Sequence, residues 1–298
     1  MNIQKTSDFH PKNKHKGSYD FPKLLESFPA LAQFVFENQY QNQTIDFSNP
    51  EAVKTLNAAL LNSYYGFSTW SIPENFLCPP IPGRAEYIHH VAALLEETYG
   101  TLQTKKQIKV LDIGVGANCI YPILGVFEYN WKFVGSEIDK QAFEAAKTNC
   151  NSNQKLKENI ELRLQTSKKN TFKNIIQPNE QFDITICNPP FHHSKEAANQ
   201  GTLRKNENLG IQNNTKITLN FGGVNSELWC EGGEVAFISN LIYESVHFQK
   251  QCKWFSSLVS KKESIKPLLV HLKKVKATHK IIEMKHGNKV SRLLFWQF

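Results

Sequence analysis

The chain has 298 residues, with 35 lysines and arginines against 27 acids, a formal net charge of +8 and a pI of about 9.0. This length accommodates one α/β domain and a smaller appendage, and the positive charge favours an acidic partner such as nucleic acid. Six scattered cysteines without a Cys-x-x-Cys pair argue against a zinc knuckle and a disulfide framework. No apolar stretch approaches transmembrane length and no signal-peptide core is present, so we expect no membrane partner and a cytoplasmic location.

The first segment of interest, residues 9–19, contains no acid. A basic run of this kind is either a solvated tail or a folded arm that contacts phosphate. Because it leads into an apolar helical pattern over residues 24–35, we favour the folded arm. Its predicted nucleic-acid contacts are Lys12, Lys14, His15 and Lys16.

Asn49 and Pro50 predict the start of a helix, with the asparagine as N-cap and the proline in the first helical position. A proline-rich stretch, residues 78–83, is a stiff linker into the next helix. We therefore predict a basic, mostly helical, nucleic-acid-binding module over residues 1–80 and an α/β domain over residues 84–298.

Residues 108–113 form an apolar strand that ends in a glycine turn at Gly114 and Gly116. Glycines are needed where the backbone turns tightly and a ligand approaches closely. The spacing lacks the third glycine of the dinucleotide fingerprint. With Asp112 before the turn, it is similar to the Asp-x-Gly-x-Gly loop of S-adenosylmethionine-dependent methyltransferases. Asp112, Gly114 and Gly116 are therefore predicted cofactor-binding residues.

A second strand, residues 131–136, ends at Glu137, with Asp139 close behind. An acid at this strand tip is placed to accept hydrogen bonds from ribose hydroxyls. Alternatively, the acids cap the following helix, since acids favour helix N-termini. Both roles are compatible, with Asp139 as the cap and Glu137 on the ribose. At a strand tip, loss of the Glu137 carboxylate is expected to affect folding little.

The apolar run over residues 182–187 predicts a buried strand, and Asn188, Pro189, Pro190 and Phe191 follow it. Neither proline can donate to a strand ladder, so the strand ends there. The Asn188 side-chain carbonyl and the next backbone carbonyl can accept hydrogens from a planar –NH₂ group, while Phe191 stacks on its ring. This is the motif of amino-group methyltransferases. The alternative is a turn that merely ends the strand.

A long polar stretch follows this motif directly. We interpret residues 192–227 as a mobile lid over the substrate. His192 and His193 have no third ligand at a useful spacing, so they indicate a polar rim rather than a metal site. The other predicted elements are a strand at 160–164, a helix at about 226–250 with a candidate break at Gly232 and Gly233, a strand at 254–259 and a closing hairpin of 279–284 with 290–298.

Five strings spread over nearly the whole length point to one family: Pro11–Lys16 with Tyr19–Phe21, Leu77–Arg84, Leu111–Pro122, Asn188–His192 and Trp229–Glu234. In these strings the chain resembles the bacterial 23S ribosomal RNA adenine N6-methyltransferases assigned to position 1618. More distantly, it is similar to the eukaryotic U6 small nuclear RNA adenine methyltransferase.

The resemblance implies a Rossmann-like class I S-adenosylmethionine-dependent methyltransferase with a mostly helical basic N-terminal module. It implies an adenine of large-subunit ribosomal RNA as substrate, either naked or in an assembling particle, and no metal. By match to the family's motifs, the cofactor pocket includes Arg84, Gly114, Glu137 and Asn188. The implied adenine pocket, with the catalytic residues, is Asn188, Pro189, Pro190 and Phe191.

Three rival functions use parts of the same pattern. An enzyme that methylates a protein glutamine also binds a planar amide, but typically has tyrosine in place of Phe191 and no need of a basic arm. A DNA adenine methyltransferase is chemically equivalent, and only the full-length resemblance disfavours it. A non-catalytic RNA-binding relic predicts loss of Asp112, Glu137 or Asn188, and all three are present.

Overall fold

Eight strands form one sheet in the computed structural model, which describes residues 3–5, 9–74, 76–100, 107–194, 228–286 and 289–298. Across the sheet the strands follow the order β1-β9-β10-β8-β7-β4-β5-β6, and β2 and β3 make a separate hairpin. The strand bounds are β1 Ile3–Lys5, β2 Val35–Glu37, β3 Gln43–Ile45, β4 Lys109–Ile113, β5 Lys132–Glu137, β6 Ile160–Leu164, β7 Phe182–Cys187, β8 Cys252–Val259, β9 Thr278–His286 and β10 Lys289–Gln297.

Five neighbouring strands, β6, β5, β4, β7 and β8, are parallel, whereas β10 pairs antiparallel with both β8 and β9. Strand β4 lies between β5 and β7, so the winding of the chain reverses direction beside it. A crevice therefore opens outside the carboxyl ends of these strands, where open α/β sheets bind ligands. This topology brings the glycine turn, the Glu137 tip and Asn188 to one edge, which we name the catalytic edge.

Helices cover both faces of the sheet. Their bounds are α1 Phe21–Ser27, α2 Pro50–Tyr65, α3 Ile81–Tyr99, α4 Ile120–Tyr129, α5 Lys140–Asn151, α6 Gln154–Asn159, α7 Gly233–Ser245 and α8 Lys262–Lys274, with 3-10 turns at Pro29–Phe34 and Val246–Phe248. Within the described residues, none of these helices is long and apolar enough to span a membrane.

The predicted start of α2 is confirmed. The Asn49 side chain accepts hydrogen bonds from the backbone N–H groups of Glu51, at 3.0 Å, and Ala52, at 3.3 Å. Pro50 occupies the first turn, and the helix ends at Gly66, whose φ of +66° is left-handed. A glycine is favoured in this conformation because it has no Cβ to clash.

Two helices differ from their predicted extent. The apolar pattern over residues 24–35 is not one helix, because α1 ends before Pro29, whose missing N–H breaks the hydrogen-bond ladder. The helix expected at about residues 226–250 is interrupted, because Leu228 is helical, residues 229–232 are not, and α7 runs from Gly233 to Ser245. Both Gly232, at φ +76°, and Gly233, at φ +66°, are left-handed, so the glycine pair lies at the break in the expected helix.

The hydrophobic core lies in two clusters, one on each face of the sheet. The first joins the N-terminal helices, α3 and α4 to the sheet, and it contains Leu24, Leu60 and Val110 together. The second contains Ile238 of α7 and Leu268 of α8. The N-terminal elements therefore share one core with the α/β elements, and β1 also pairs with β9 at the sheet's edge.

Candidate active site

The glycine turn after β4 is held by the neighbouring strand. The backbone N–H groups of Gly114 and Val115 donate to the carbonyl of Ser136, at 3.0 and 2.9 Å. Gly114 and Gly116 have φ values of +73° and +65°. No atom within 4 Å would meet a Cβ added at Gly114, so the left-handed backbone, and not lack of space, requires glycine there.

The Glu137 carboxylate clamps this turn to the tip of β5. It accepts hydrogen bonds from the backbone N–H groups of Gly116, at 2.9 Å, Ile138, at 2.8 Å, and Asp139, at 2.9 Å. Burial raises its pKa, and the three N–H donors oppose this rise. Asp139 caps α5 by accepting from two backbone N–H groups, as predicted. Glu137 lines the cavity, so a ribose contact remains a compatible prediction.

Asp112 lies beneath the cavity rather than in its wall. Its side chain is buried, and neither carboxyl oxygen has a hydrogen-bond partner in the described part of the chain. Burial, with Glu137 nearby, raises the pKa of Asp112 well above its ordinary value, and Arg84 opposes this rise. Asp112 is not among the cavity-lining residues, and its binding of the cofactor stays a prediction.

Asn188 stands at the carboxyl end of β7, against Arg84. The Arg84 Nη1 donates to the hydroxyl of Tyr121 at 3.1 Å and lies 3.5 Å from the Asn188 Oδ1. Pro189 and Pro190 are buried, while Asn188 and Phe191 are partly exposed. The two rigid prolines thus fix the backbone that follows Asn188, whose side-chain amide is open to the cavity.

Buried hydrogen bonds join α3 and β8 to the backbone of β7, and sequence reasoning missed them. The Tyr87 and Ser256 hydroxyls are 2.8 Å apart, and Ser256 donates to the Thr185 carbonyl at 2.7 Å. Tyr87 also accepts from the Cys187 N–H at 3.5 Å. Burial raises the pKa of Tyr87 well above its ordinary value, so the hydroxyl stays neutral. No sequence signal links residues so far apart in the chain.

One cavity is lined by the glycine turn, Glu137, Arg84 and Asn188. Residues 165–171, in the loop that follows β6, line one side of the cavity. Sequence reasoning missed this loop, because its irregular sequence shows no pattern. The lining residues are Leu77, Pro79, Arg84, Ile113, Gly114, Val115, Gly116, Asn118, Ile120, Tyr121, Ser136, Glu137, Ile138, Gln165, Ser167, Lys168, Asn170, Thr171, Cys187, Asn188, Pro190 and Phe237.

The two ends of the predicted lid meet beside Phe191. The His192 N–H donates to the Leu228 carbonyl, and the Cys230 N–H donates to the His192 carbonyl, each at 3.0 Å. Residues 195–227 lie outside the described residues. Within the described ranges, no group of three or more His, Cys, Asp or Glu side chains is arranged to hold a metal ion.

The basic arm is folded against α3, as predicted, and a buried carboxylate holds it. The Glu86 carboxylate accepts from the His10 backbone N–H, at 2.7 and 3.0 Å, and from the Asn13 side-chain amide, at 2.9 Å. Asn13 and Glu86 are both almost fully buried. These contacts rule out a solvated tail over residues 9–16 in this structure.

The predicted contact residues of the arm differ in their surroundings. Lys12 forms an ion pair with Glu96 at 2.8 Å, and Lys14 with Glu128 at 3.1 Å, while Lys16 is exposed. His15 is buried, with its Nε2 2.8 Å from the Tyr65 hydroxyl, and burial lowers its pKa to about 4. His15 therefore does not fit its predicted phosphate-contact role, and it instead packs the arm onto α2.

Comparison with known proteins agrees with this site. A family model described as RNA methyltransferase matches residues 3–298. The chain is similar to the ribosomal RNA large subunit methyltransferase F of Bacteroides fragilis, with 50% identity over 98% of this chain and 99% of that protein. The protein of the same name from Pseudomonas entomophila is 50% identical over 97% of this chain and 92% of that protein.

Solved structures extend the likeness to the fold. The human METTL16 catalytic domain, in complex with MAT2A 3′UTR hairpin 1, has a TM-score of 0.82 and 31% identity, covering 98% of this chain and 96% of that chain. The N-terminal domain of human METTL16 in complex with SAH has a TM-score of 0.76 and 28% identity, covering 97% and 98%.

These findings confirm the predicted Rossmann-like class I fold, the methyltransferase activity, the S-adenosylmethionine donor and an RNA substrate. The chain belongs to the RNA methyltransferase family whose bacterial members are the ribosomal RNA large subunit methyltransferases F.

Proposed function

We propose that this protein transfers a methyl group from S-adenosylmethionine to N6 of an adenine in large-subunit ribosomal RNA, in the cytoplasm. The observation that carries the proposal is the Asn188 amide, which faces the cavity between two buried prolines and Arg84. The names of the bacterial relatives support ribosomal RNA as the substrate class. The protein-glutamine alternative has no comparable support, because these relatives are named for RNA.

The acceptor adenine is bound by groups at the end of β7. The Asn188 Oδ1 and the Pro189 carbonyl accept the two N–H groups of the exocyclic amine, which favours a pyramidal nitrogen with its lone pair directed at the methyl group. Stacking on Phe191 adds about 1–3 kcal/mol of binding free energy and holds the ring in place. Since the amine is inaccessible inside a paired helix, the adenine must enter unpaired or be extruded.

The chemistry is an in-line displacement in which positioning is the main contribution of the protein. When bound, S-adenosylmethionine supplies the methyl group and takes back the electron pair of the broken carbon–sulfur bond. The new nitrogen–carbon bond leaves the amine cationic, and its extra proton is acidic enough to pass to solvent. Asn188 therefore needs only to orient the amine, and no strong general base is required.

The residues around the cavity suit this donor, which carries both an ammonium and a sulfonium. Asp112 keeps two buried carboxyl oxygens without hydrogen-bond partners in the described residues, so a nearby cation stabilises their charge. The Arg84 guanidinium is the complementary group for the donor's carboxylate. Glu137 and the left-handed glycines at 114 and 116 form the side on which the ribose binds.

The Tyr121 hydroxyl is expected to orient Arg84 against Asn188. Tyr121→Phe keeps the ring but removes the hydroxyl that accepts from Arg84 at 3.1 Å. Arg84 is then no longer held in place beside the Asn188 amide. We expect kcat to fall about tenfold, the scale of a hydrogen bond to a charged group, with a nearly unchanged KM for the donor. Tyr243→Phe is the matched control, since that hydroxyl bonds His271 on the outer surface. A raised donor KM at constant kcat would instead make Tyr121 a donor-binding residue.

We propose that the arm contacts RNA phosphates. On binding, Lys12 would leave its ion pair with Glu96 and pair with a phosphate instead. The ion pair is exposed, so its net stabilisation is small and the exchange is easy. We expect Lys12→Ala to weaken RNA binding and Glu96→Gln to strengthen it. The slope of log K against log salt should change by about 0.7–0.9 in opposite directions. Glu97→Gln, which frees Lys280 instead, is the control, and equal effects of both glutamine variants would contradict an RNA contact by the arm.

The function is tested by methyl transfer from labelled donor to large-subunit ribosomal RNA, DNA and protein in parallel, followed by nucleoside analysis. The expected product is N6-methyladenosine in RNA alone. Label in DNA or on a protein glutamine would replace the proposal with one of its rivals.

A further inference from the structure

Helix α8 and the turn after it carry a dense set of lysines that the arm-centred sequence argument did not consider. All six are exposed, and one acid, Glu263, lies among them. We name this set the α8 lysine surface: Lys261, Lys262, Lys266, Lys273, Lys274 and Lys276.

Helical spacing aligns three of these lysines into a stripe. Lys266 and Lys273 follow Lys262 by four and eleven residues, which at 3.6 residues per turn places all three within an arc of about 40°. The opposite side of α8 is buried, through Ser264 and Leu268. The stripe therefore points to solvent along the length of the helix, which is about 20 Å for 13 residues.

The lysines of this surface are not neutralised by acids of the described residues. In the described part of the chain, none of the six lysines forms an ion pair, whereas Lys12 and Lys14 of the arm each bind an acid. A group of like charges in one stripe repels itself and raises the local positive potential. Among the described residues, α8 thus carries a positive stripe without ion pairs, whereas two of the three arm lysines are paired with acids.

The stripe begins at the catalytic edge. Strands β7 and β8 are parallel with Thr185 opposite Phe255, so Asn188 and the start of α8 follow the same ends of neighbouring strands. The buried Glu234 of α7 fixes that start by accepting from the Ser260 N–H, at 2.6 Å, and the Ser264 hydroxyl, at 2.7 Å. From there α8 runs back along the sheet face opposite the arm.

We infer that the α8 lysine surface contacts phosphates of the RNA substrate beyond the target adenine. This inference rests on the proposed RNA substrate and adds a second, separate contact surface. Lysines meet phosphates as point charges and read no base edges, so the surface contributes affinity without sequence preference. RNA that presents its adenine to Asn188 is then held on both faces of the sheet, by the arm on one and by α8 on the other.

The test is a triple variant, Lys262→Gln with Lys266→Gln and Lys273→Gln, in the full chain. Binding to an in vitro transcript of large-subunit ribosomal RNA is measured over a range of salt concentrations. We expect weaker binding and a salt slope reduced by about two to three units, at 0.7–0.9 per lost phosphate contact. Donor affinity by calorimetry and kcat at saturating RNA should match the unaltered protein, because no residue of the cavity is changed.

The matched control removes the same charge elsewhere, by Lys147→Gln, Lys157→Gln and Lys250→Gln, all exposed and outside the α8 lysine surface. An unchanged slope in the α8 variant, or an equal change in both variants, would overturn the inference. The proposed function fails differently. Unaltered protein that binds the transcript but forms no methyladenosine would refute that function, while the slopes would still decide whether α8 contacts RNA.

Discussion

Asn188→Ala should lower the rate of methyl transfer by about a hundredfold or more, the scale of losing one positioned polar group at a reaction centre. The amine would lose the Oδ1 acceptor, and Arg84 would lose its 3.5 Å neighbour. Donor affinity should stay near that of the unaltered protein, because the glycine turn and Glu137 are untouched. Single-turnover measurement with saturating RNA and donor isolates the chemical step from binding.

Two readouts protect this experiment from misinterpretation. Thermal unfolding and calorimetric donor binding show whether the variant is folded, which we expect because Asn188 is partly exposed and follows the end of β7. If folded Asn188→Ala protein turned over at more than about a tenth of the original rate, the amide would not be the main acceptor of the amine.

Glu137→Ala should weaken donor binding by at least about tenfold and also lower the melting temperature. The sequence suggested little effect on folding, but three backbone N–H groups, of which that of Gly116 is buried, bond this carboxylate. Leaving the buried Gly116 N–H unpaired costs about 1–3 kcal/mol, so the glycine turn would loosen along with the loss of the ribose partner. Calorimetry with S-adenosylmethionine measures the affinity, and thermal unfolding measures the stability.

Asp139→Ala is the comparison for this variant. It removes the N-cap of α5, at a cost of about 1 kcal/mol, but leaves the carboxylate that holds Gly116 in place. Donor affinity should therefore fall much less than in Glu137→Ala. A similar loss in both variants would indicate that Glu137 acts through general stability rather than through the donor site.

The catalytic edge was largely predictable because its strands are short apolar runs that end in glycine or proline turns. Strands β4, β6 and β7 lie within one residue of their predicted bounds. By contrast, α8 was not predicted, since Pro267 interrupts its pattern, and yet the helix continues around the proline. Turn residues are thus strong signals where they end an element and misleading where tertiary packing overrides them.

The contacts that arrange the site were not predictable, because they join side chains far apart in the chain. Nothing in the sequence pairs Glu86 with Asn13 or Tyr87 with Ser256, and nothing assigns Glu128 to Lys14. The charge run of the arm therefore suggested free phosphate ligands where the folded protein has ion pairs and a buried His15. Composition reports how much charge a segment has, and only the fold determines what neutralises it.

The backbone hydrogen bonds between His192 and the segment at Leu228 and Cys230 have an evolutionary consequence. They join the two described segments that flank residues 195–227, so the position of Asn188 does not depend on the number of residues between them. The entropy of closing a chain segment grows only with the logarithm of its length, about 0.6 kcal/mol per doubling. A change of length in this interval is therefore cheap for stability, and the interval can diverge while the methyl-transfer chemistry at Asn188 stays fixed.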